Sequence, residues 1–126
     1  MGLKYFWYLE GIQGDSADPR YAGQIDITGF SFDSVTGKAE GLGFYGKEIA
    51  SPYKMTLLKR PDKASNAIVE AIVKCRTFAH SVITLDRNGG NFTKLVMDDV
   101  ELLACSRQES VESVSIDFKK ILLVNG

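Results

Sequence analysis

The sequence has few of the residues that build metal centres and disulfide frameworks. Its 126 residues include two cysteines, Cys75 and Cys105, and one histidine, His80. Two cysteines are too few for a disulfide framework and are not in metal-ligand spacing, and one histidine excludes a multi-histidine metal centre. We therefore expect no metal or other cofactor. We interpret both cysteines as buried free thiols, because their neighbours are apolar.

The sequence also lacks an excess of either charge and any long apolar run. Fifteen basic and 16 acidic residues give a net charge of −1, so nothing favours phosphate backbones or an anionic membrane surface. No run approaches the roughly 20 apolar residues of a membrane-spanning helix, and the first residues lack the apolar region and cleavage site of a signal peptide. We expect a soluble cytosolic chain without nucleic-acid partners or membrane insertion.

What the sequence does contain is repeated alternation of apolar and polar residues, which is typical of strands with one buried face. The pattern predicts about seven strands, at residues 5–11, 24–33, 53–57, 80–87, 92–97, 100–105 and from 111 onward. The apolar residues change parity at Gly29, which predicts a β-bulge that bends the strand, because glycine can adopt the unusual dihedrals that the extra residue needs. They change parity again at Lys120, which predicts a second bend. The run from Asn88 to Asn91 predicts a hairpin turn, because asparagine and glycine tolerate positive φ.

One stretch, from Asp62 to Thr77, has the apolar spacing of a helix. Ser65 is suited to the N-cap, because its hydroxyl can accept from unpaired backbone amides of the first turn. Glu70 and Lys74 form an i,i+4 pair on the solvated face. The opposite face is predicted to pack on the strands through Ile68, Ala71, Ile72 and Cys75.

The length and the hydrophobic content of 44% suit a single domain over residues 1–126. Strands that greatly outnumber helices favour a mainly β fold. The sequence therefore predicts an antiparallel β-barrel or sandwich with one α-helix covering an opening.

A glycine motif invites comparison with nucleotide-binding sites. Gly41, Gly43 and Gly46 match the dinucleotide-binding pattern G-x-G-x-x-G, but that pattern requires a helix N-terminus directly after it to bind the pyrophosphate. Pro52 and an alternating strand follow instead. We interpret the match as fortuitous.

Other polar residues that could serve catalysis are few. His80 and Ser81 could belong to a catalytic triad only with some distant carboxylate, and we interpret His80 as a residue at the end of a strand. Asp98, Asp99 and Glu101 could act as an acid and base pair or a Ca²⁺ site, and we interpret them as a solvated turn. The sequence therefore predicts that the protein is not an enzyme.

Four segments form a recognisable set in their order along the chain: Gly11-Ile12-Gln13-Gly14-Asp15-Ser16, Ile25-Asp26-Ile27 running into Phe30-Ser31-Phe32, Asp62-Lys63-Ala64-Ser65 at the start of the helix, and Val111-Glu112-Ser113-Val114-Ser115-Ile116-Asp117-Phe118. Together they resemble the haemolysin-coregulated protein (Hcp) family, the tube subunits of bacterial type VI secretion systems. The resemblance implies a β-barrel with a helix, and homo-hexameric rings that stack into a tube. It also implies sheath and spike proteins as partners and small effector proteins in the lumen. The subunit would be cytoplasmic before firing and then exported without a signal peptide.

The chain also departs from the pattern of this family. Tyr21 lies where many members have histidine, and Asn66 where a proline often opens the helix. The chain ends at Gly126 without the usual C-terminal extension, which is expected to affect contacts between rings. Two alternatives therefore remain: a tail-tube protein of another contractile injection system, or a monomeric small-barrel protein that binds or acts on a ligand in a concave site.

The stretch from Ser34 to Ser51 is predicted to be a loop, because it contains four glycines. Four sizeable apolar side chains in a loop expose surface that is normally buried against a partner or against the loop's own barrel. Since this segment projects from the barrel in the family that the chain resembles, we predict that it contacts a stacked ring. The residues assigned to that contact are Leu42, Phe44, Tyr45 and Ile49.

Overall fold

The computed structural model describes residues 4–33, 53–87 and 92–125, which form eight strands, one α-helix and one short 3-10 helix. The strands are β1 (Lys4–Leu9), β2 (Ile25–Ile27), β3 (Gly29–Asp33), β4 (Tyr53–Lys59), β5 (Thr77–Asp86), β6 (Phe92–Gln108), β7 (Val111–Phe118) and β8 (Lys120–Asn125). The α-helix, α1, comprises Ala64–Val73, and the 3-10 helix comprises Pro19–Tyr21. The predicted mainly β fold with one helix is confirmed, with eight strands in the described part instead of about seven.

All eight strands belong to one antiparallel sheet around a common core. The strand order is β2-β1-β5-β6-β7-β4-β3, and β8 pairs with β6. The two ends of this order, β2 and β3, are separated in sequence only by Thr28, whose amide donates to the Leu58 carbonyl at 2.7 Å. The hydrogen-bond ladder is not closed between β2 and β3, but the chain itself joins the two ends of the sheet. This arrangement agrees with the predicted barrel or sandwich.

The predicted bend near Gly29 is present, but it has a different cause. Ile25 and Ile27 are buried in the core, and after the bend Phe30 and Phe32 pack partly buried against it. Gly29 is not among the residues with a left-handed φ. The chain changes parity because β2 pairs with β1 whereas β3 pairs with β4.

The strands predicted at 92–97 and 100–105 form one continuous strand of 17 residues, β6. Asp99 adopts a left-handed φ of 55° and interrupts the alternation without ending the strand. The first part of β6 pairs with both β5 and β8, and its last part pairs with β7. The predicted second bend lies at Lys119, one residue earlier than expected, where the amide donates to the Asp98 carbonyl at 3.0 Å.

The helix α1 covers one side of the core and packs on β6. Ala64, Ile68 and Ala71 are buried in the same apolar cluster as the inward-facing strand residues, and Ile72 is partly buried against it. A helix of ten residues is marginal alone in water, so this burial is what holds it.

The predicted N-cap of the helix is wrong, because α1 begins at Ala64, before Ser65. Asp62 is the residue whose side chain caps the first turn: its Oδ1 accepts from the Ala64 amide at 3.0 Å. Lys63, at the N-cap position, makes no capping hydrogen bond with its side chain. The Ser65 hydroxyl accepts instead from the Asp62 amide at 3.0 Å, which leaves its proton for another partner.

The predicted burial of Cys75 is also wrong. The helix ends at Val73, and Cys75 follows with a left-handed φ of 54° and an exposed side chain, so it does not belong to the packing face. The left-handed turn takes the chain out of the helical path before this position. Cys105 is half-buried on β6, and this burial raises the pKa of its thiol.

Residues 34–52 and 88–91 lie outside the described residues. The predicted loop, the glycine motif, the hairpin turn and the stacking residues Leu42, Phe44, Tyr45 and Ile49 fall there. In the three described ranges, no helix has both the length and the apolar composition needed to cross a membrane.

Candidate functional site

A buried cluster of charged residues lies where the helix meets the sheet. The Lys59 side chain is fully buried, and its Nζ lies 2.7 Å from Oε1 of Glu112 and 2.9 Å from Oδ1 of Asp62. The same Nζ donates to the Ser65 hydroxyl at 3.1 Å, and that hydroxyl donates to Oε1 of Glu112 at 2.8 Å. Arg107 Nη2 donates to the other oxygen of Glu112 at 2.6 Å. We call these five residues the anchor cluster.

Strand register explains why the anchor cluster forms. Glu112 on β7 is paired with Lys59 on β4 and with Arg107 on β6, so its carboxylate lies between two cations on neighbouring strands. Lys59 continues the inward-facing parity of Met55 and Leu57, both fully buried. Asp62 and Ser65 then approach from the start of α1. The cluster therefore joins the start of the helix to the ends of three neighbouring strands, β4, β6 and β7.

The carboxyl group of Glu112 is held in its ionised form. Burial acts to raise its pKa, but hydrogen bonds from Lys59, Arg107 and Ser65 outweigh that effect and lower the pKa to about 2. The Glu112 carboxylate is therefore a fixed negative charge at neutral pH.

The two buried donors of the anchor cluster, Lys59 and Ser65, have no hydrogen bond left to offer a substrate. A lysine ammonium has three N–H donors, and four acceptors surround the Nζ of Lys59 within 3.1 Å, including the Arg60 carbonyl. Ser65 is nearly fully buried and already donates to Glu112. The geometry is that of a satisfied structural network.

Asp62, Ser65 and Glu112 all belong to segments that carry the family resemblance, but the sequence does not indicate that they meet. The prediction from sequence missed Lys59 altogether. The alternation of β4 contained a signal for it, because Lys59 lies two residues after Leu57 and therefore on the buried face of the strand. A buried ammonium requires a carboxylate as its partner.

A second buried carboxylate, Asp86, holds the loop before β2 against the outer face of the sheet. Tyr21 donates its hydroxyl proton to Oδ2 of Asp86 at 2.8 Å, and Arg20 Nη2 lies 3.0 Å from the same oxygen. The Tyr21 ring stacks on Phe6 with centroids 4.2 Å apart. Burial, with the hydrogen bond to Asp86, raises the pKa of Tyr21.

The candidate triad residues His80 and Ser81 point to opposite faces of β5. Ser81 is buried, where its hydroxyl accepts from Trp7 Nε1 at 2.8 Å and donates to the Tyr8 carbonyl at 3.0 Å. His80 is exposed, with its Nδ1 2.9 Å from Oδ1 of Asp98 on the neighbouring strand. A histidine and a serine on opposite faces of a sheet cannot act as base and nucleophile.

The acidic residues Asp98, Asp99 and Glu101 do not converge on one point. Asp98 pairs with His80 on the outer face of the sheet. Asp99 lies within β6, but its left-handed φ departs from the extended backbone of the strand. Within residues 4–33, 53–87 and 92–125, no three histidine, cysteine, aspartate or glutamate side chains are grouped so that they could hold a metal ion.

An open cleft of about 500 Å³ lies beside β1 and β2, lined by Lys4, Phe6, Asp26 and residues 16–19. Burial raises the pKa of the Asp26 carboxyl, although a hydrogen bond from Ser16 opposes this shift. The cleft therefore contains an amine, Lys4, and a carboxyl group, Asp26, that is hydrogen-bonded to the Ser16 hydroxyl.

The outer face of the sheet carries a row of apolar side chains that crosses four strands. The register pairs Tyr8 with Val82, Val82 with Val96, and Val96 with Leu122. Residues paired in this way project on the same face of a sheet. Tyr8 and Leu122 are exposed, and Val82 and Val96 are half-buried. We call these four residues the outer row.

The solvent side of α1 carries a second exposed apolar surface. Val69 and Val73 lie one helical turn apart, and both are exposed, Val73 to 74%. The salt bridge between Glu70 and Lys74, 3.0 Å long, borders them. We call Val69 and Val73 the helix stripe.

Comparison with known proteins gives one family and one fold. Residues 6–123 match the model of a family described as "Type VI secretion system effector, Hcp". No curated protein matches the chain significantly in sequence.

Several solved structures share the fold. Hcp1 from Salmonella typhimurium superposes with a TM-score of 0.76 at 15% identity over 99% of this chain and 92% of that protein. Hcp3 from Pseudomonas aeruginosa gives 0.74 at 13% identity over 99% and 96%. The anti-feeding prophage cap, which terminates that tube, gives 0.56 at 12% identity over 97% and 88%.

Proposed function

Because the family model spans residues 6–123, the chain belongs to the Hcp family of type VI secretion systems, and we propose that it is a structural tube subunit of such a system. In this proposal the subunits close into homo-hexameric rings, the rings stack into a tube, and small effector proteins travel in the lumen. Sheath and spike proteins are its other partners. The subunit is cytoplasmic before firing and is exported through the apparatus.

The family match carries this proposal, and the polar groups of the structure support it. Lys59, Ser65 and Glu112 of the anchor cluster are buried and hydrogen-bonded to one another, and Asp86 is buried and hydrogen-bonded to Tyr21, which stiffens the subunit. This arrangement suits a protein that works by binding other subunits through its surface and not by catalysis. We therefore propose that the protein is not an enzyme.

The outer row and the helix stripe also support assembly. Apolar side chains that lie side by side on a protein surface are buried favourably when a second protein covers them, and the outer row aligns four such side chains. The acidic and basic residues are nearly balanced in number, so the subunits do not repel one another strongly.

Size-exclusion chromatography with light scattering, followed by negative-stain electron microscopy, tests the proposal. We expect a mass near six subunits and rings in projection at micromolar concentration and moderate salt. A protein that stays monomeric as its concentration is raised to the millimolar range contradicts the proposal.

One observation favours a second candidate, a tail-tube protein of another contractile injection system. The fold similarity to the anti-feeding prophage cap, which terminates that tube, supports this candidate. Co-expression with a type VI sheath and baseplate separates the two. Incorporation into the type VI tube supports the first candidate, and rings that never enter that apparatus support the second.

A further inference from the structure

The chain carries two exposed apolar surfaces of different shape, the flat outer row and the ridged helix stripe. We propose that the helix stripe of one copy packs on the outer row of the next copy, so that the two surfaces form a single heterologous contact. A ring needs two different surfaces on every subunit, because each copy contacts the copy on one side through the first surface and the copy on the other side through the second. The inference rests on the proposed function, because only a self-assembling subunit has a neighbouring copy of itself.

The two surfaces cannot meet within one copy. The helix lies on the inner side of the sheet, where Ile68 and Ala71 join the core cluster that includes Met97 of β6. Val96, which directly precedes Met97 in β6, projects from the opposite side of that strand. Contact between stripe and row therefore requires a second copy.

The dimensions of the two surfaces match. The outer row crosses four strands, and three spacings between strands give a length of about 14 Å. A helix of ten residues is about 15 Å long, and its axis can lie along the row. Val69 and Val73, about 6 Å apart, then project into the same row of apolar side chains.

The charges at the borders are complementary as well. The register places Asp98 and Lys120 beside one border of the outer row, and Lys94 beside the other. Glu70 and Lys74 border the helix stripe. In the docked pair Glu70 faces Lys120, and Lys74 faces Asp98 at the same border. These two contacts fix the direction of the helix across the sheet.

The test blocks each surface separately and then mixes the two blocked chains. Val73→Asp places a carboxylate in the helix stripe, and Leu122→Asp places one in the outer row; both positions are exposed, so both variants should fold like the parent by circular dichroism. Either change should raise the concentration needed for half-maximal assembly by at least about 100-fold, because a charge in an apolar contact is unfavourable. Val111→Asp is the matched control, since Val111 is also an exposed valine (42%) and belongs to neither surface.

The mixture distinguishes a heterologous contact from other arrangements. The Val73→Asp chain keeps its outer row and the Leu122→Asp chain keeps its helix stripe, so the mixture should form a discrete heterodimer in sedimentation velocity, whereas each variant alone stays monomeric. The inference is overturned if both variants still form rings, or if both lose assembly but the mixture gives no heterodimer. In those cases assembly of the parent still supports the proposed function, whereas a monomeric parent refutes the function itself.

Discussion

The ammonium of Lys59 lies 2.7 Å from the Glu112 carboxylate, although the two residues stand on different strands and both are almost completely buried. Such a pair holds its two strands and the start of the helix in one relative position. Its contribution can be measured because the chain also offers an exposed ion pair, Glu70 with Lys74, on the surface of α1.

Replacement of Glu112 by glutamine should destabilise the fold by about 3–5 kcal/mol, because it leaves the buried Lys59 ammonium without its closest counter-charge. Urea denaturation followed by circular dichroism measures the effect. Glu70→Gln is the control, and the loss of that exposed pair should change the free energy of unfolding by only about 0.3–0.5 kcal/mol. Equal effects of the two substitutions would show that the anchor cluster does not hold the fold.

The stability of the protein should fall in acid through Glu112. Its pKa is about 2 in the folded protein against 4.5 for an ordinary glutamate, so below pH 4.5 the unfolded chain takes up a proton that the folded protein does not bind until about pH 2. The stabilisation is complete above pH 4.5 and is lost between pH 4.5 and 2, with a total of about 3 kcal/mol. Urea midpoints at pH 7, 4.5, 3.5 and 2.5 measure the profile.

The Glu112→Gln variant provides the reference for this profile, since it cannot take up that proton. Its stability should depend less steeply on pH than that of the parent between pH 4.5 and 2.5. Parallel profiles would indicate that other carboxyl groups cause the acid sensitivity.

The two faces of α1 should respond oppositely to the same charge. Ile68→Asp puts a carboxylate into the core and should abolish soluble folded protein, whereas Val69→Asp, one residue later on the exposed side, should leave the monomer folded. Ile72→Asp should also destabilise, because that side chain is partly buried against the core. Yield of soluble protein and thermal melting distinguish the outcomes, and a folded Ile68→Asp variant would refute the assigned face.

Tyr21→Phe should destabilise the protein by about 1–3 kcal/mol, because the buried Asp86 loses a hydrogen-bond donor at 2.8 Å. Stacking on Phe6 is retained, so the effect reports the hydroxyl alone. Tyr8→Phe, which removes a hydroxyl from a ring that is exposed in the single subunit, serves as the control, with all melts run at a concentration at which the subunits are monomeric. Similar melting temperatures for the two variants would show that Arg20 suffices to hold Asp86.

The proposed role of Leu42, Phe44, Tyr45 and Ile49 in stacking predicts that a Gly-Ser linker in place of residues 38–47 leaves rings intact but prevents tubes. Electron microscopy and light scattering measure rings and tubes separately. Unfolded subunits would assign these residues to the core of their own subunit. Unchanged tubes would assign stacking to another surface.

The fold could be predicted because strand alternation is a local signal. Ile25, Ile27, Phe30 and Phe32 reveal both a strand and its bend from ten consecutive residues. At Asp98 and Asp99 the same kind of local signal was misleading, because two consecutive acidic residues resemble a turn between two strands. In the structure Asp99 adopts a left-handed φ and β6 continues through it. Cys75 misled the prediction for a different reason, because helical spacing does not show where the helix ends.

The anchor cluster could not be predicted, because its members meet through the register of distant strands. Lys59 and Glu112 are paired only once β4 and β7 are neighbours, which depends on the strand order of the whole sheet. The outer row depends in the same way on the register of four strands.

The pairing of early with late strands determines when the chain can fold during its synthesis. Trp7 of β1 is paired with Ile83 of β5, and Met55 of β4 with Ile116 of β7. Until β5 leaves the ribosome, the described strands of the first half can form the local pairs β1–β2 and β3–β4, but β1 lacks its second neighbour, and β4 gains its own second neighbour only when β7 follows. Since contacts between distant residues also make folding slow, the subunit becomes competent to assemble only after nearly all of it has been translated.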